Sequence, residues 1–428
     1  MKHITRRDLF KGTAFLGATL FAGKSEAYSL PEGTENRIPV LQGATSYTRT
    51  QINVMAPDDV VITISGGTAT VSKIEKNYSI WRAYRVAVED LSPGKEYELT
   101  ISTPEGVVLD TRKFSSLKPE TTKARIALVS CMRDRQAEFQ APMWKALLET
   151  KPDLVFLLGD NVYVDDEVGF VGGVTEERIW RRYVETRVTL DFYHWKTLVP
   201  TLAVWDDHDF GLNNTYGPTP WREYSSDIFR TLYAQDATMP EVMWGPGIAT
   251  AFTAYGQRFY LMDNRSFRDH PIIGKTHWGP SQEDWLVNKL DSEKMAGWIL
   301  NGSQIFSGYR TGWGYETGHA GSLKKMLKRF SEVEAPVLFC SGDVHYSEIM
   351  HVEDEYLGYE TTEITSSSMH SNAKEPRKGN KRRIASIGEF NFVTADVNVV
   401  EKGLDLAIRS HGRDGKQFFE VEKSIRRS

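Results

Sequence analysis

The sequence predicts a mixed α/β domain preceded by an all-β segment, and three observations support this prediction. Short strand-like runs separated by Gly and Pro turns fill residues 36–118. From residue 124 onward, runs typical of buried strands alternate with segments of helical spacing, which is the pattern of a layered α/β fold. Three of these strand runs end in clusters of Asp and His, at Leu154–Asp166, Thr201–Gly211 and Pro336–Glu348.

The first 27 residues have the layout of a bacterial twin-arginine export signal. Arg6 and Arg7 precede an apolar stretch at 13–22, and small residues at the −3 and −1 positions, Ser25 and Ala27, suit a cleavage site. The stretch is too short, and too rich in Gly, Ala and Thr, for a transmembrane helix. We therefore expect export by the twin-arginine machinery to the periplasm or the medium, without a transmembrane segment. A chance Arg-Arg pair before an uncleaved segment is the alternative.

The overall composition is that of a soluble globular protein. The 428 residues are 40% hydrophobic and 25% charged, and the net charge is −5. This charge gives no indication of a nucleic-acid-binding surface, so nucleic acid enters only as a possible substrate. One short basic stretch, Lys374–Arg383, is interpreted as a solvated loop.

The segment 36–118 carries strand patterns and no cluster of catalytic residues. Alternating runs at Val60–Ile64, Ala83–Val88 and Tyr97–Ile101 are separated by turn residues. Tyr97 follows a Pro-Gly corner at the entry to a strand, which fits the tyrosine corner of an immunoglobulin- or fibronectin-type sandwich.

A linker at 118–123 separates this segment from an α/β (α+β) domain predicted over 124–428. Helix-like spacing occurs at Ala141–Thr150 and Ser281–Leu290, and Ser281 is the predicted N-cap of the second helix. We find no internal repeat and no long low-complexity tract.

The acidic strand ends predict a metal centre. Buried parallel strands deliver their carboxyl ends to one edge of an α/β sheet, where ligands bind. Asp160, Asp207 and Asp343 would meet at this edge. Several carboxylates cannot crowd together in the ionised form without cations between them, which favours a two-metal site.

A fourth strand run ends in Cys131, whose thiolate would suit iron or another soft or borderline metal. Arg133 just beyond it could bind phosphate oxygens. Tyr163 follows Asp160 by three residues, and its phenolate would favour ferric iron. A disulfide between Cys131 and Cys340 is the alternative; we prefer Cys131 as a ligand and Cys340 as a core thiol.

The two remaining clusters contribute imidazole and amide groups. His208 is a candidate acid, base or transition-state stabiliser that a nearby carboxylate would orient. The amide oxygen of Asn213 or Asn214 suits a hard cation such as Ca²⁺. Asp343 and His345, as residues i and i+2 of an extended segment, would face the metals together.

The ordered motifs SC, GDNVY, WDDHD and SGDVH resemble those of the PhoD-like alkaline phosphatases and phosphodiesterases, a branch of the calcineurin-like metallophosphoesterases. Further matching segments are YLMDNRSFR, GPSQEDWL and WILNGSQI. The resemblance covers nearly the whole chain. It implies a four-layer β-sandwich flanked by helices, preceded by a smaller sandwich domain.

The resemblance also implies a metal assignment. Fe³⁺ would be held by Cys131, Asp160, Tyr163 and His345, and Ca²⁺ by Asp160, Asp207, Asp343 and Asn213 or Asn214. His208 matches the catalytic histidine. Arg265, Arg268 or Arg133 would contact the phosphate or support the site, and a buried pair between Arg265 and Asp263 is the alternative for Arg265.

The predicted function is therefore hydrolysis of small phosphate esters by a metal-activated water. Monoesters are the leading substrates and diesters the second. One alternative is a phospholipase-D-like or nucleic-acid phosphodiesterase with the same site. A more remote alternative is an adhesion or wall-binding protein whose metal site is only structural.

Overall fold

A computed structural model describes residues 37–119, 121–135, 137–166, 173–271, 273–307 and 314–427. The predicted export signal, residues 1–27, lies outside this range. Among the described residues, no helix has the length and apolar character needed to cross a membrane.

Residues 40–115 form seven strands in two antiparallel sheets. One sheet has the order β1-β2-β5-β4 and the other β3-β6-β7. Apolar residues from both sheets, among them Val54, Val86 and Leu99, share one buried cluster. The strands are β1 (Val40–Thr45), β2 (Thr50–Ala56), β3 (Val61–Ile64), β4 (Thr68–Ile74), β5 (Arg82–Glu89), β6 (Glu96–Ser102) and β7 (Val108–Ser115).

Tyr97 makes the contact expected of a tyrosine corner. Its hydroxyl oxygen accepts a hydrogen bond from the backbone N–H of Ser92 at 2.7 Å. The bond ties the entry of β6 to the turn before it.

The remaining strands form two larger sheets. The six-stranded sheet has the order β10-β9-β8-β19-β20-β21, in which β8, β9 and β10 are parallel. Its strands are β8 (Lys123–Val129), β9 (Leu154–Leu158), β10 (Thr201–Val204), β19 (Phe392–Val400), β20 (Gly403–His411) and β21 (Gln417–Arg426).

The eight-stranded sheet has the order β11-β12-β13-β14-β15-β17-β16-β18, with β13, β14, β15 and β17 parallel. Its strands are β11 (Val242–Trp244), β12 (Thr250–Ala254), β13 (Gln257–Leu261), β14 (Gly297–Leu300), β15 (Val337–Ser341), β16 (Ser347–Val352), β17 (Thr361–Thr365) and β18 (Arg383–Ile387).

Eight helices connect these strands within the described residues. They are α1 (Ala137–Glu149), α2 (Glu176–Thr189), α3 (Asp207–Phe210), α4 (Arg222–Leu232), α5 (Pro280–Glu293), α6 (Tyr315–Gly318), α7 (Ala320–Glu332) and α8 (Asp354–Leu357). Short 3-10 turns lie at Asp191–His194 and Arg413–Gly415.

Strand β8 shows why these runs are apolar along their whole length. Ile126 and Leu128 pack into a core shared with the eight-stranded sheet, whereas Ala127 and Val129 pack into a second core with helical residues such as Trp144 and Ile179. Successive side chains of a strand point to opposite faces, so both faces of this sheet are covered.

The mixed α/β class is confirmed, whereas the four-layer description and the immunoglobulin-like type stay predictions. One local prediction is wrong. Ser281 is not the N-cap of its helix, because α5 begins at Pro280 with Gly279 as the cap residue. Proline suits the first turn of a helix, because the backbone N–H groups there have no partner within the helix and the missing N–H of proline costs nothing.

Candidate metal centre

Four strand ends meet at one cleft of about 480 Å³. Asp160 follows β9 and Asp207 follows β10, and both strands are parallel neighbours in the six-stranded sheet. Cys131 follows β8 of the same sheet, and Asp343 follows β15 of the other. The juxtaposition predicted from the strand ends is therefore present.

Three groups of side chains bring their ligand atoms within 4.8 Å of one another. Every group contains Asp160, which is the residue that the sequence predicts to bridge two cations. The groups are Cys131, Asp160 and His345; Asp160, Asp207 and His208; and Asp160, Asp206 and Asp343.

Four residues of the candidate metal centre have left-handed backbone conformations. The φ angle is 57° at Cys131, 52° at Asp160, 71° at Asp343 and 64° at His345. Such angles are uncommon for residues other than glycine, and they cluster at functional sites. The segment from Asp343 to His345 is therefore not extended, and the reason given above for the common direction of these two side chains is wrong.

Gly342 is needed because the two sheets approach each other closely beside Asp343. A Cβ atom at this position would lie 2.5 Å from the carbonyl oxygen of Leu158 and 2.6 Å from Cβ of Ser130. Leu158 is the last residue of β9 and Ser130 directly follows β8, so both lie at the strand ends of the opposite sheet that carry Asp160 and Cys131.

We expect Gly342→Ala to destabilise the fold by about 1–3 kcal/mol and to lower activity, because backbone atoms must shift to admit the methyl group. Urea unfolding and aryl phosphatase assays measure the two effects. Gly321→Ala is the control, since nothing lies within 4 Å of a Cβ there. Unchanged stability of Gly342→Ala would contradict the close approach.

Cys131 is fully buried in a polar pocket. Its Sγ accepts hydrogen bonds from Ser367 Oγ at 3.1 Å and Ser130 Oγ at 3.4 Å, and it lies 3.4 Å from Asp160 Oδ2. Burial raises the pKa of this thiol to about 11. Cys131 and Cys340 are both free, so the alternative of a disulfide between them is wrong. Cys340 lies in the core between the sheets, as predicted.

The carboxylates of the site fit cations. Asp160 Oδ1 is buried, and no hydrogen-bond donor among the described residues faces it. Burial, followed by the negative charge of Cys131, raises the pKa of Asp160 well above its usual range. Burial and the charge of Asp207 likewise raise the pKa of Asp343. Asp160 and Asp343 thus resist ionisation unless positive charge enters the site.

The donor types also fit the predicted metals. Thiolate and imidazole near Asp160 suit iron, and the carboxylates of Asp207 and Asp343 suit a hard cation. Tyr163 lines the same cleft, and its hydroxyl forms a hydrogen bond with Ser371 Oγ at 3.1 Å. Asn213 and Asn214 also line the cleft; the backbone N–H of Asn213 donates to Asp165 Oδ2, and that of Asn214 donates to Asp207 Oδ2.

His208 is oriented by Asp165, a residue to which the sequence reasoning gave no role. Nδ1 of His208 lies 2.6 Å from Asp165 Oδ1, and the imidazole ring packs against Tyr163 with centroids 4.3 Å apart. Burial favours the neutral ring, but the charge of Asp160 and the hydrogen bond with Asp165 outweigh it and raise the pKa of His208 to about 10.

Arg265 lies behind the cleft. Its guanidinium pairs with the fully buried Asp206 and approaches Asp207 to 3.7 Å. The alternative pairing with Asp263 is wrong for the guanidinium, since it is the backbone N–H of Arg265 that donates to Asp263 Oδ1. Burial would raise the pKa of Asp207, but the charges of Arg265 and His208 lower it to about 2. Arg265 therefore supports the carboxylates.

Arg133 lines the cleft but is already paired. Its Nε and Nη2 donate to the two oxygens of Asp166, each at 2.6 Å, and the guanidinium lies over the Tyr163 ring. Arg268 is buried outside the cleft-lining set, and its pKa is lowered to about 10 by burial.

Two further histidines are buried. His370 Nδ1 contacts the carbonyl oxygen of Arg133 at 3.0 Å. His319 Nε2 contacts the Asp269 carbonyl oxygen at 3.2 Å. Residues 308–313 lie outside the described range.

Several residues of the site were missed by sequence reasoning. Asp165 and Asp166 follow the GDNVY motif after one intervening residue, Val164, and this proximity was the only sign available. Asp206, Gln304, Ser371, Asn372, Lys374 and Arg377 come from segments that only the fold brings together.

A cleft at the carboxyl ends of parallel strands, lined by carboxylates and imidazoles, is typical of α/β hydrolytic enzymes that use metal ions. The chain belongs to the PhoD-like phosphatase family, whose model matches residues 126–400, more than half of the chain. It is therefore a hydrolase of phosphoric ester bonds.

One solved structure agrees with this fold. The chain is similar to a structure described as that of PhoD, with a TM-score of 0.66 and 16% identity over 94% of this chain and 93% of that one. Two Vps29 structures also match. The Entamoeba histolytica double mutant has a TM-score of 0.28 and 10% identity over 70% of this chain and 99% of its own. The Chaetomium thermophilum protein has a TM-score of 0.27 and 11% identity over 70% of this chain and 97% of its own. No curated protein matches.

Proposed function

We propose that the protein is an exported, metal-dependent phosphoesterase that hydrolyses phosphate monoesters of small molecules. The observation that carries the proposal is that three ligand groups share Asp160 at one cleft. Cys131, Asp160, Tyr163 and His345 would hold Fe³⁺, while Asp160, Asp207, Asp343 and Asn213 or Asn214 would hold Ca²⁺. Such a metal pair polarises the phosphoryl oxygens and lowers the pKa of a water.

The residues of this chain then have separate roles. His208, held by Asp165, donates a proton to the leaving alcohol or stabilises the charge that develops on it. Arg265 orients Asp206 behind the metals. Arg133 is held at the cleft wall by Asp166, with its remaining N–H groups available to phosphate oxygens.

Metal analysis of the purified protein tests the proposal directly. We expect iron near one equivalent together with calcium, and hydrolysis of an aryl phosphate that stops when chelators remove the metals. Zinc alone would contradict the ligand argument, and a metal-loaded protein without phosphatase activity would contradict the function. The ratio of monoester to diester turnover ranks the two substrate classes.

Cys131→Ser tests the iron site. We expect iron content and kcat to fall by roughly tenfold or more, because a serine hydroxyl is a poor substitute for a thiolate ligand. Cys340→Ala is the matched control, since Cys340 is equally buried but lies in the apolar core. Normal iron and activity in Cys131→Ser would make Cys131 a structural thiol.

The export and domain predictions form part of the same proposal. Replacing Arg6 and Arg7 by Lys should keep the protein in the cytoplasm, because the twin-arginine machinery reads this pair. Fractionation of cells expressing the wild type and the double variant measures the effect, and equal export of both would contradict it. Residues 36–118 and 124–428 are proposed as separate domains.

A further inference from the structure

The basic segment Lys374–Arg383 borders the cleft and is divided in its contacts. Arg382 pairs with Glu316 and Glu353, each at 2.8 Å, and Arg383 pairs with Glu348 at 2.6 Å. Lys374 and Arg377 line the cleft. The interpretation of this whole stretch as a solvated loop is therefore wrong for its end, where Arg382 and Arg383 are ion-paired, whereas Lys374 and Lys378 are exposed.

The backbone around Lys374 is attached to the candidate metal centre. The N–H of Lys374 donates to the carbonyl oxygen of His345 at 2.8 Å. Two residues earlier, the carbonyl oxygen of Asn372 lies 2.6 Å from His345 Nδ1. These two bonds place the backbone of Lys374 beside His345, while Lys374 remains exposed.

Two carboxylates that line the cleft are paired with residues other than Lys374. Asp166 is paired with Arg133, and Asp165 is paired with His208. In the part of the chain that the structure describes, the Lys374 ammonium has neither a hydrogen bond nor an ion pair. The cleft thus combines a centre suited to cations with a positively charged rim.

We propose that Lys374, with Arg377 three residues further along, binds a second phosphate group of the substrate. This inference rests on the proposed function, in which the first phosphate occupies the centre. A group at the rim would then meet an ammonium that forms no ion pair within the described residues, and a phosphate gains most from it because it carries up to two negative charges. The protein would prefer phosphoesters that carry a further phosphate on the alcohol.

Equilibrium binding tests the proposal in metal-loaded protein that carries His208→Asn, because this substitution should slow hydrolysis of the ligands while the metals are retained. The ligands are adenosine 5′-monophosphate and adenosine 3′,5′-bisphosphate, which differ by one phosphate. We expect Lys374→Ala to weaken binding of the bisphosphate by about fivefold and to leave the monophosphate within about twofold, as for one partly screened charged contact. Lys374→Arg should retain the preference.

Lys378→Ala is the matched control, because Lys378 is exposed on the same segment but does not line the cleft. An equal loss for both ligands in Lys374→Ala would overturn the proposal by placing Lys374 on the first phosphate. No loss for either ligand would overturn it as well.

A 5′-phosphorylated dinucleotide distinguishes the two sources of a second phosphate, since its second phosphate is a diester. Lys374-dependent binding of this ligand extends the subsite to diesters, whereas dependence with the bisphosphate alone restricts it to monoesters. If Lys374-dependent binding persists while no aryl phosphate is hydrolysed by the protein with His208 intact, the proposed function fails and the subsite stands.

Discussion

Asp160→Asn should abolish phosphatase activity and remove both metals together. Asp160 belongs to every ligand group of the site, and the substitution removes its charge with little change of shape. We expect kcat/KM to fall by at least about 10³-fold, because both cations that stabilise the transition state would be lost or displaced. Steady-state kinetics with an aryl phosphate and elemental analysis of the same sample measure the two effects.

Asp58→Asn is the control for this substitution, since Asp58 is an exposed aspartate far along the chain from the cleft segments. Circular dichroism and thermal unfolding establish that each variant is folded. A folded Asp160→Asn protein with full metal content and near-normal turnover would disprove the bridging role.

His208→Asn should lower kcat by about 10²–10³-fold while leaving the metal content largely unchanged, as for loss of a general acid. The imidazole lines the cleft and is held by Asp165, which fixes its orientation. The separation of turnover from metal content distinguishes this result from that of Asp160→Asn. Kinetics and metal analysis are again made on one sample.

Asp165→Asn supplies the graded comparison, with an expected loss of about tenfold because the imidazole stays but loses its ionised partner. His351→Asn, a substitution on β16 outside the cleft, is the control. If His208→Asn reduced metal content as strongly as activity, His208 would be a ligand instead of a proton donor.

The linear pattern was sufficient to predict the strand ends of the site. Runs such as Leu154–Leu158 and Val337–Ser341 are buried along their whole length, so their apolar character is visible without a structure. The polar residues that follow these runs stand out, because the packing of a buried strand does not require Asp or His at its end. Cys131, Asp160, Asp207 and Asp343 were found in this way.

The pairings between these residues could not be predicted. Asp165 orients His208 from 43 positions away, and Arg265 pairs with Asp206 from 59 positions away. Sequence spacing carries no information about such distances. The helix α5 was also predicted with the wrong cap, since Ser281 has the right chemistry but Pro280 begins the helix.

Lys374 illustrates the same limit at the rim of the cleft. In the sequence it is one of several basic residues in a polar stretch, for which solvation is the reasonable interpretation. Hydrogen bonds between this stretch and His345 bring Lys374 to the cleft, whereas Arg383 turns inward to Glu348. Two basic side chains of the same segment thus have different contacts.

The sequence by itself determined the α/β class, the strands that carry the site and the types of ligand at their ends. These follow from local patterns, because side-chain periodicity and turn residues act over a few positions. Only the tertiary structure decided which carboxylate pairs with His208, which one pairs with Arg265, and which basic side chains reach the cleft. These are contacts between segments far apart in the chain, and burial at the meeting point of two sheets sets their energies.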